Sequence, residues 1–107
     1  MSTTPPELSI HHTVVDERLV VSVAGDLDLG SAPELESTVA SLAPFGHPVV
    51  IDLSGVDFID SSGVRSLLAV NQLVTGGGGV PVTLTGSSSS TRRLIELTGI
   101  DQVFTVD

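Results

Sequence analysis

The sequence predicts an α/β domain with a mixed, mostly parallel sheet of four to five strands and three main helices. Two strand-like runs separated by a short polar turn come first, and strand-like and helix-like segments then alternate strictly. The length of 107 residues suits one small domain, and 40% of the residues are hydrophobic, with Phe as the only aromatic type. We expect a flexible terminus over residues 1–7 and one folded domain over residues 8–107, with a core of Val, Leu, Ile and Ala.

The predicted sheet begins with a hairpin. Leu8–Val15 carries strand-forming side chains, Asp16 and Glu17 interrupt the run, and residues 19–24 resume it. The second run is apolar at most of its positions, as in a central strand. We expect Gly25 to end this strand.

A first helix is predicted after Ser31. Ser31 and Glu34 have the spacing of a capping box, and Pro33 suits the first turn. Apolar residues then recur on one helical face, at Leu35, Val39 and Leu42. A mostly apolar strand over residues 49–53 follows, and residues 54–60 are expected to link it to the next helix.

The second helix is predicted to start at the Ser61-Ser62-Gly63 segment and to end at the glycine run over residues 76–79. Its apolar residues are spaced to face the sheet: Val64, Leu67, Leu68 and Val74.

The last part of the chain predicts one more strand, a third helix and a short closing strand. The strand covers residues 80–84, and residues 87–90 lead into the helix. Gly99 stands directly after that helix, where glycine is favoured because it tolerates a left-handed backbone. Residues 103–106 form the closing strand.

Composition excludes several classes of function. Thirteen carboxylates face four arginines and no lysine, for a net charge of −9, and so we expect no binding to nucleic acid or to anionic membranes. The absence of cysteine excludes disulfides and thiol catalysis, and three histidines without a cluster predict neither a metal nor a cofactor. No apolar stretch approaches the roughly 20 residues that span a bilayer, and the start lacks a basic signal region, which predicts a soluble cytoplasmic protein.

The candidate site lies where the second and third strands end, since function collects at the carboxyl ends of parallel strands. If these strands are adjacent and parallel, four carboxylates and two hydroxyls share one edge of the sheet: Asp26, Asp28, Asp57, Asp60, Ser61 and Ser62. We expect Phe58 and Ile59 to pin this segment to the core and so to hold Asp60 and Ser61 in place.

The Asp60-Ser61-Ser62-Gly63 segment opens a helix, with Asp60 or Ser61 as its N-cap. Unpaired amides and the positive end of the helix dipole tolerate an anion there, so a phosphate on Ser61 is accessible and compatible with the helix. The alternative is that the segment is only a cap. Asp26 and Asp28 have a similar alternative, because acidic residues after a strand often form turns.

Three segments resemble the anti-sigma factor antagonists, the single-domain members of the STAS family. Residues 49–68 (VVIDLSGVDFIDSSGVRSLL) resemble the family signature, residues 25–28 look like its Gly-Glu-Leu-Asp segment with Asp26 in place of Glu, and residues 92–104 look like its third helix. The resemblance implies a STAS domain over residues 8–107.

The resemblance also implies a switch. In such proteins the Ser at the position of Ser61 is phosphorylated by an anti-sigma factor that is also a serine kinase, and a serine phosphatase removes the phosphate. The unphosphorylated form binds the anti-sigma factor and releases a sigma factor. The predicted partner-binding residues are Asp26, Asp28, Asp57, Asp60, Ser61, Ser62 and Gly63. For Asp28 the resemblance itself implies a contact with the partner. We expect a binding protein and not an enzyme, and we expect this acidic single domain to be a monomer when free.

Two other functions remain open. One is a STAS scaffold or interaction subunit, or a transporter appendage, that phosphorylation does not control. The other is a small hydrolase that uses Ser61 with one of the histidines, His11, His12 or His47; the absence of a G-x-S-x-G elbow around Ser61 disfavours it.

Overall fold

The predicted fold class is confirmed. A computed structural model describes residues 8–42, 46–76, 81–99 and 104–106. Within those residues the chain forms five strands, β1 (Leu8–Val15), β2 (Arg18–Leu27), β3 (Val49–Ile59), β4 (Thr83–Thr85) and β5 (Thr105–Val106), and three helices, α1 (Ala32–Leu42), α2 (Ser61–Thr75) and α3 (Ser89–Thr98). The strands lie in the order β1-β2-β3-β4-β5, with β1 antiparallel to β2 and every other pair parallel. The expected flexible terminus, residues 1–7, lies outside the described residues.

The hairpin between β1 and β2 forms as predicted. Asp16 and Glu17 both have positive φ values, 50° and 65°, and Val15 pairs directly with Arg18. Two consecutive left-handed residues make the tight turn whose twist matches that of the flanking strands.

Strands β2 and β3 are longer than predicted. We expected Gly25 to end β2 and residues 54–60 to form a link, but β2 runs to Leu27 and β3 runs to Ile59. The pairing shifts register twice, once between Ser22 and Ala24 and once between Gly25 and Asp26. In both places β3 holds one more residue than β2, as in a bulge. The positive φ of Gly25, 103°, is open to glycine without strain, and so the strand continues through it.

One hydrophobic core joins the sheet to all three helices. The inward residues of β2, Leu19, Val21 and Val23, belong to the same buried cluster as the inward residues of the helices, among them Leu35, Val39, Leu67 and Ile95. The predicted inward face of α2 is confirmed, with Val64 and Leu67 buried and Leu68 and Val74 partly buried against the core. The predicted apolar stripe of α1 is confirmed in the same way.

The predicted capping box at α1 does not form. The Ser31 hydroxyl instead donates to the Asp26 carbonyl oxygen at 2.6 Å and accepts from the Asp28 amide at 3.0 Å. The Glu34 amide donates to the Ser31 backbone carbonyl at 3.0 Å. The buried Ser31 side chain is therefore used to close the turn that leads from β2 into α1, which leaves the box unmade.

Two buried polar side chains fix the position of α2. The Ser66 hydroxyl donates to the Ala32 carbonyl oxygen at 3.3 Å, which ties α2 to the start of α1. The side-chain oxygen of Asn71 accepts from the Val82 amide at 2.9 Å, which ties α2 to the segment before β4. Both residues are at least 95% buried, so these bonds are shielded from water.

The last three elements are a strand, a helix and a strand, as predicted, but their bounds differ from the predicted ones. Strand β4 begins at Thr83, and Val82 before it is buried. Ser88 caps α3. Gly99 ends this helix with a φ of 77°, as predicted. The starts of the predicted fourth and fifth strands, Val80 and Val103, lie outside the described residues.

Candidate functional site

The site begins at the N-terminus of α2, where Asp60 is the N-cap. Its carboxylate oxygen Oδ1 accepts from the Ser62 amide at 2.9 Å and from the Gly63 amide at 3.0 Å, and its backbone carbonyl accepts from Val64. Of the two N-cap candidates the structure therefore selects Asp60, and Ser61 is the first helical residue.

Ser61 is exposed, and within the described ranges its hydroxyl makes no hydrogen bond to protein. Ser62 is half-buried, and its amide donates to the Asp60 carboxylate. Of the two adjacent hydroxyls, that of Ser61 is thus the more accessible to a second protein.

Asp28 builds the turn between β2 and α1. Its Oδ1 accepts from the Gly30 amide at 3.1 Å, from the Ser31 amide at 3.1 Å and from the Ser31 hydroxyl at 3.2 Å. The backbone carbonyl of Asp28 also accepts from the Ala32 amide at 2.8 Å. The structure therefore supports the turn-forming interpretation of Asp28. Within the described residues the other carboxylate oxygen of Asp28 makes no hydrogen bond.

Parallel pairing brings the Asp28 turn beside the start of α2. Leu27 pairs with Ile59, and the Asp60 amide lies 3.4 Å from the Leu27 carbonyl oxygen. Asp28 and Asp60 are thus the residues that directly follow a paired position on neighbouring strands. The sequence predicted this adjacency.

Gly63 makes the close approach possible. It is buried, and a Cβ atom there would overlap the Leu27 carbonyl oxygen and lie 2.8 Å from Ile59 Cγ1. The first turn of α2 therefore packs against backbone at the end of β2. Gly63 serves the site through packing, because its position is closed to solvent.

Asp26 and Asp57 lie within β2 and β3, before the ends of these strands, and so further along the chain from α2 than Asp60. Asp26 is half-buried and pairs with Phe58, whereas Asp57 is exposed at the second register shift. The acidic residues predicted to gather at this edge thus follow one another along the ends of β2 and β3.

The expectation that Phe58 pins this segment to the core is wrong. Phe58 is 53% exposed, whereas Ile59 packs partly against the core as expected. The extra residue of β3 at the register shift changes the alternation, and this places Phe58 outward. Leu29, in the Asp28 turn, is 76% exposed.

A groove of about 260 Å³ lies between α1 and α2, and Ser62, the neighbour of Ser61, is one of the residues that line it. Leu29, Ala32 and Pro33 line one side, and Ser62, Arg65 and Ala69 line the other. The sequence analysis missed both Leu29 and this groove. The signal that could have revealed them is a leucine inside the Asp-x-Gly turn, a position that apolar residues seldom occupy.

The residues of the hydrolase alternative do not converge. The Nδ1 atom of His47 lies 3.2 Å from the carbonyl oxygen of Glu17. Glu17 belongs to the hairpin turn, which is at the opposite end of β2 from Asp28. His11 and His12 lie on β1, paired with Ser22 and Val21. No histidine therefore lies beside Ser61.

Comparison with known proteins decides the family. The family model of the STAS domain matches residues 6–107. The chain belongs to the STAS domain family. Within the described ranges, no helix of this STAS protein has the length and apolar character needed to cross a bilayer.

Within this family the chain is similar over most of its length to proteins named as anti-sigma factor antagonists. It is 36% identical over 99 residues to the anti-sigma-F factor antagonist RsfB of Mycobacterium tuberculosis, covering 90% of this chain and 80% of the relative. It is 30% identical over 105 residues to the anti-sigma-B factor antagonist of Staphylococcus aureus, covering 94% and 93%. A crystal structure of an anti-sigma factor antagonist from Mycobacterium paratuberculosis superposes with a TM-score of 0.83 at 32% identity, covering 97% and 89%. The resemblance found in the sequence is thereby confirmed.

Proposed function

We propose that this STAS protein is an anti-sigma factor antagonist controlled by phosphorylation of Ser61. In its unphosphorylated form it binds an anti-sigma factor that is also a serine kinase, and the sigma factor is released. Transfer of a phosphate to Ser61 ends the binding, and a serine phosphatase restores it. Because sigma factors act on RNA polymerase, we propose that this takes place in the cytoplasm.

The observation that carries the proposal is the geometry of Ser61. Its side chain is exposed at the first position of α2, and its hydroxyl makes no bond to protein within the described residues. The turn around it is fixed by the Asp60 cap and by the close packing of Gly63. A kinase can therefore reach this hydroxyl in a defined position without unfolding the helix.

The charges around Ser61 support phosphorylation as the switch. A phosphoserine adds about −1.5 to −2 charges at pH 7. It would arise in a chain of net charge −9, beside the acidic residues that follow β2 and β3. In an interface formed against a carboxylate of the partner, such a charge costs several kcal/mol, which corresponds to a loss of roughly 100-fold or more in affinity.

We propose that the anti-sigma factor binds the edge formed by Asp26, Asp28, Asp57, Asp60, Ser61 and Ser62, and that the buried Gly63 contributes by holding the first turn of α2 in place. The exposed side chains of Leu29 and Phe58 add apolar area to the same edge. An interface core of this kind, apolar with a charged rim, is the usual anatomy of a specific complex.

Intact mass spectrometry tests the acceptor. The purified chain is incubated with a candidate anti-sigma kinase and ATP, in parallel with Ser61→Ala and Ser62→Ala. We expect one added phosphate on the wild type and on Ser62→Ala, and none on Ser61→Ala. Labelling of Ser61→Ala to the wild-type extent would show that the acceptor lies elsewhere.

Capture of the partner tests the switch. Unmodified protein and Ser61→Ala should both retain the anti-sigma factor, since Ser61 is exposed and its loss leaves the Asp60 cap intact. Phosphorylated wild type should not retain it. Equal capture of the modified and unmodified forms would support an interaction subunit that phosphorylation does not control.

A further inference from the structure

Arg65 has a distinctive position in this acidic chain. It is the only one of the four arginines on α2, four residues after Ser61, and it is exposed. In the described part of the chain, Arg92 forms an ion pair with Glu96 on α3, with 3.6 Å between Nε and Oε1. Arg65 has no carboxylate partner among the described residues. A cation without a partner thus stands one helical turn from the proposed phosphate acceptor.

We propose that Arg65 binds the phosphate on Ser61 within the same molecule, an inference that rests on the proposed phosphorylation of Ser61. Residues four apart lie on one face of a helix, with Cβ atoms about 5–6 Å apart. Helical side chains lean toward the N-terminus, so the long side chain of Arg65 can reach back to the turn that holds Ser61. An anion that precedes a cation by four residues is also the more favourable orientation of such a pair.

The helix terminus itself offers the phosphate few donors. The amides of Ser62 and Gly63, which would otherwise face an anion, already donate to Asp60. The Val64 amide donates to the Asp60 carbonyl oxygen. A phosphate on Ser61 would have to displace the Asp60 carboxylate to reach the first two amides. Among the described residues the donors left nearby are the Ser61 amide, the Ser62 hydroxyl and the guanidinium of Arg65, and of these only the guanidinium carries a positive charge.

Three carboxylates surround the proposed pair. Asp60 caps the same helix, Asp28 follows the paired end of β2, and Glu36 of α1 lines the same groove as Arg65. Each competes for Arg65 or repels the phosphate. A dianionic phosphate presents more charge and more acceptor oxygens than any of them, and it matches the two-pronged geometry of a guanidinium.

The pair would have a consequence for the surface. In the unmodified chain Arg65 lines the groove with Leu29 and Ala69. Binding to the phosphate draws the guanidinium toward Ser61. Phosphorylation would thus change the shape and charge of the groove as well as adding a negative group at its side.

The second ionisation of the phosphate reports the pair. Phosphoserine is installed at position 61 by nonsense suppression, and the ³¹P chemical shift is followed against pH for wild type, Arg65→Gln, Arg65→Lys and Arg93→Gln. Arg93, exposed on α3, is the matched control because its loss changes the net charge equally. The second pKa of phosphoserine lies near 6. We expect Arg65→Gln to raise it by about 0.5 pH units, as for a charge-assisted pair on a helix surface.

The outcomes separate this inference from the proposed function. The pair is supported if Arg65→Gln raises the second pKa of the phosphate and Arg93→Gln does not. The rise in Arg65→Lys should then be at most half of that in Arg65→Gln. Equal values for wild type and Arg65→Gln overturn it, as does an equal rise in both glutamine variants or a lack of recovery with Arg65→Lys. Because the phosphate is installed without a kinase, failure of the kinase to label Ser61 would refute the proposed function and leave this measurement valid.

Discussion

Adding a single methyl group at Gly63 should strain the contact between α2 and β2. In Gly63→Ala the new Cβ would overlap the Leu27 carbonyl oxygen and would lie 2.8 Å from Ile59 Cγ1 and 3.0 Å from Leu27 Cγ. The carbonyl cannot move freely, because Leu27 pairs with Ile59 and the Asp60 amide lies 3.4 Å from that oxygen. The first turn of the helix must therefore move away from the strand.

The expected cost follows from two opposing terms. Overpacking a well-packed core costs typically about 1–3 kcal/mol, and a clash with fixed backbone belongs at the upper end. Alanine has a better helix propensity than glycine by about 1 kcal/mol, which offsets part of it. We expect the free energy of unfolding to fall by about 2 kcal/mol, which lowers the urea midpoint by about 1 M for a small domain.

Urea denaturation followed by circular dichroism measures the effect. Ser62→Ala is the control, because it alters the adjacent residue of the same turn at a half-buried position, with an expected change below about 0.5 kcal/mol. If Gly63→Ala unfolds at the same urea concentration as the wild type, α2 tolerates the methyl group, and the close approach does not fix the position of Ser61.

The remaining predictions concern one charge and one buried bond. Asp28→Asn should keep the melting temperature, because the asparagine oxygen can accept the same amide bonds, but should lower affinity for the anti-sigma factor roughly 10-fold through loss of charge. Titration calorimetry at two salt concentrations checks this against Asp16→Asn in the distant hairpin turn, and equal affinities would return Asp28 to a purely structural role. Asn71→Ala should cost about 1–3 kcal/mol, because it leaves the Val82 amide buried without its acceptor. Urea denaturation compares the free energy of unfolding of Asn71→Ala with that of Gln72→Ala, a change at an exposed neighbour. Equal values for the two variants would show that the bond to Val82 does not stabilise the fold.

The fold could be predicted because its main signals are local. Alternation of strands and helices fixes the class, and the polar turn at Asp16 and Glu17 fixes the hairpin. The adjacency of Asp28 and Asp60 also followed, since parallel strands end at one edge. Each of these signals depends on residue order and on side-chain type within a few positions.

Features that depend on pairing between distant segments escaped prediction. The two extra residues of β3 are accommodated by register shifts against β2, and the outward direction of Phe58 follows from one of them. The hydroxyl of Ser31 could have capped α1, yet it bonds to the end of β2, five residues earlier. Asn71 accepts a bond from Val82, eleven residues later. No local pattern distinguishes these partners from solvent.

On the proposed function, the site separates binding from folding. At the exposed end of α2 a phosphate interacts with the helix dipole at a gain of about 0.3–1 kcal/mol. In high dielectric the repulsion between this phosphate and one carboxylate some 4 Å away is about 1.5–2 kcal/mol. That is small beside the roughly 5–15 kcal/mol by which a folded domain is stable, so the fold should hold. In a dehydrated interface the same repulsion grows severalfold, because the effective dielectric falls. The rigid cap at Asp60 and the packing at Gly63 keep Ser61 in one place in both situations. Phosphorylation can therefore abolish binding while the folded domain stays intact and ready for the phosphatase.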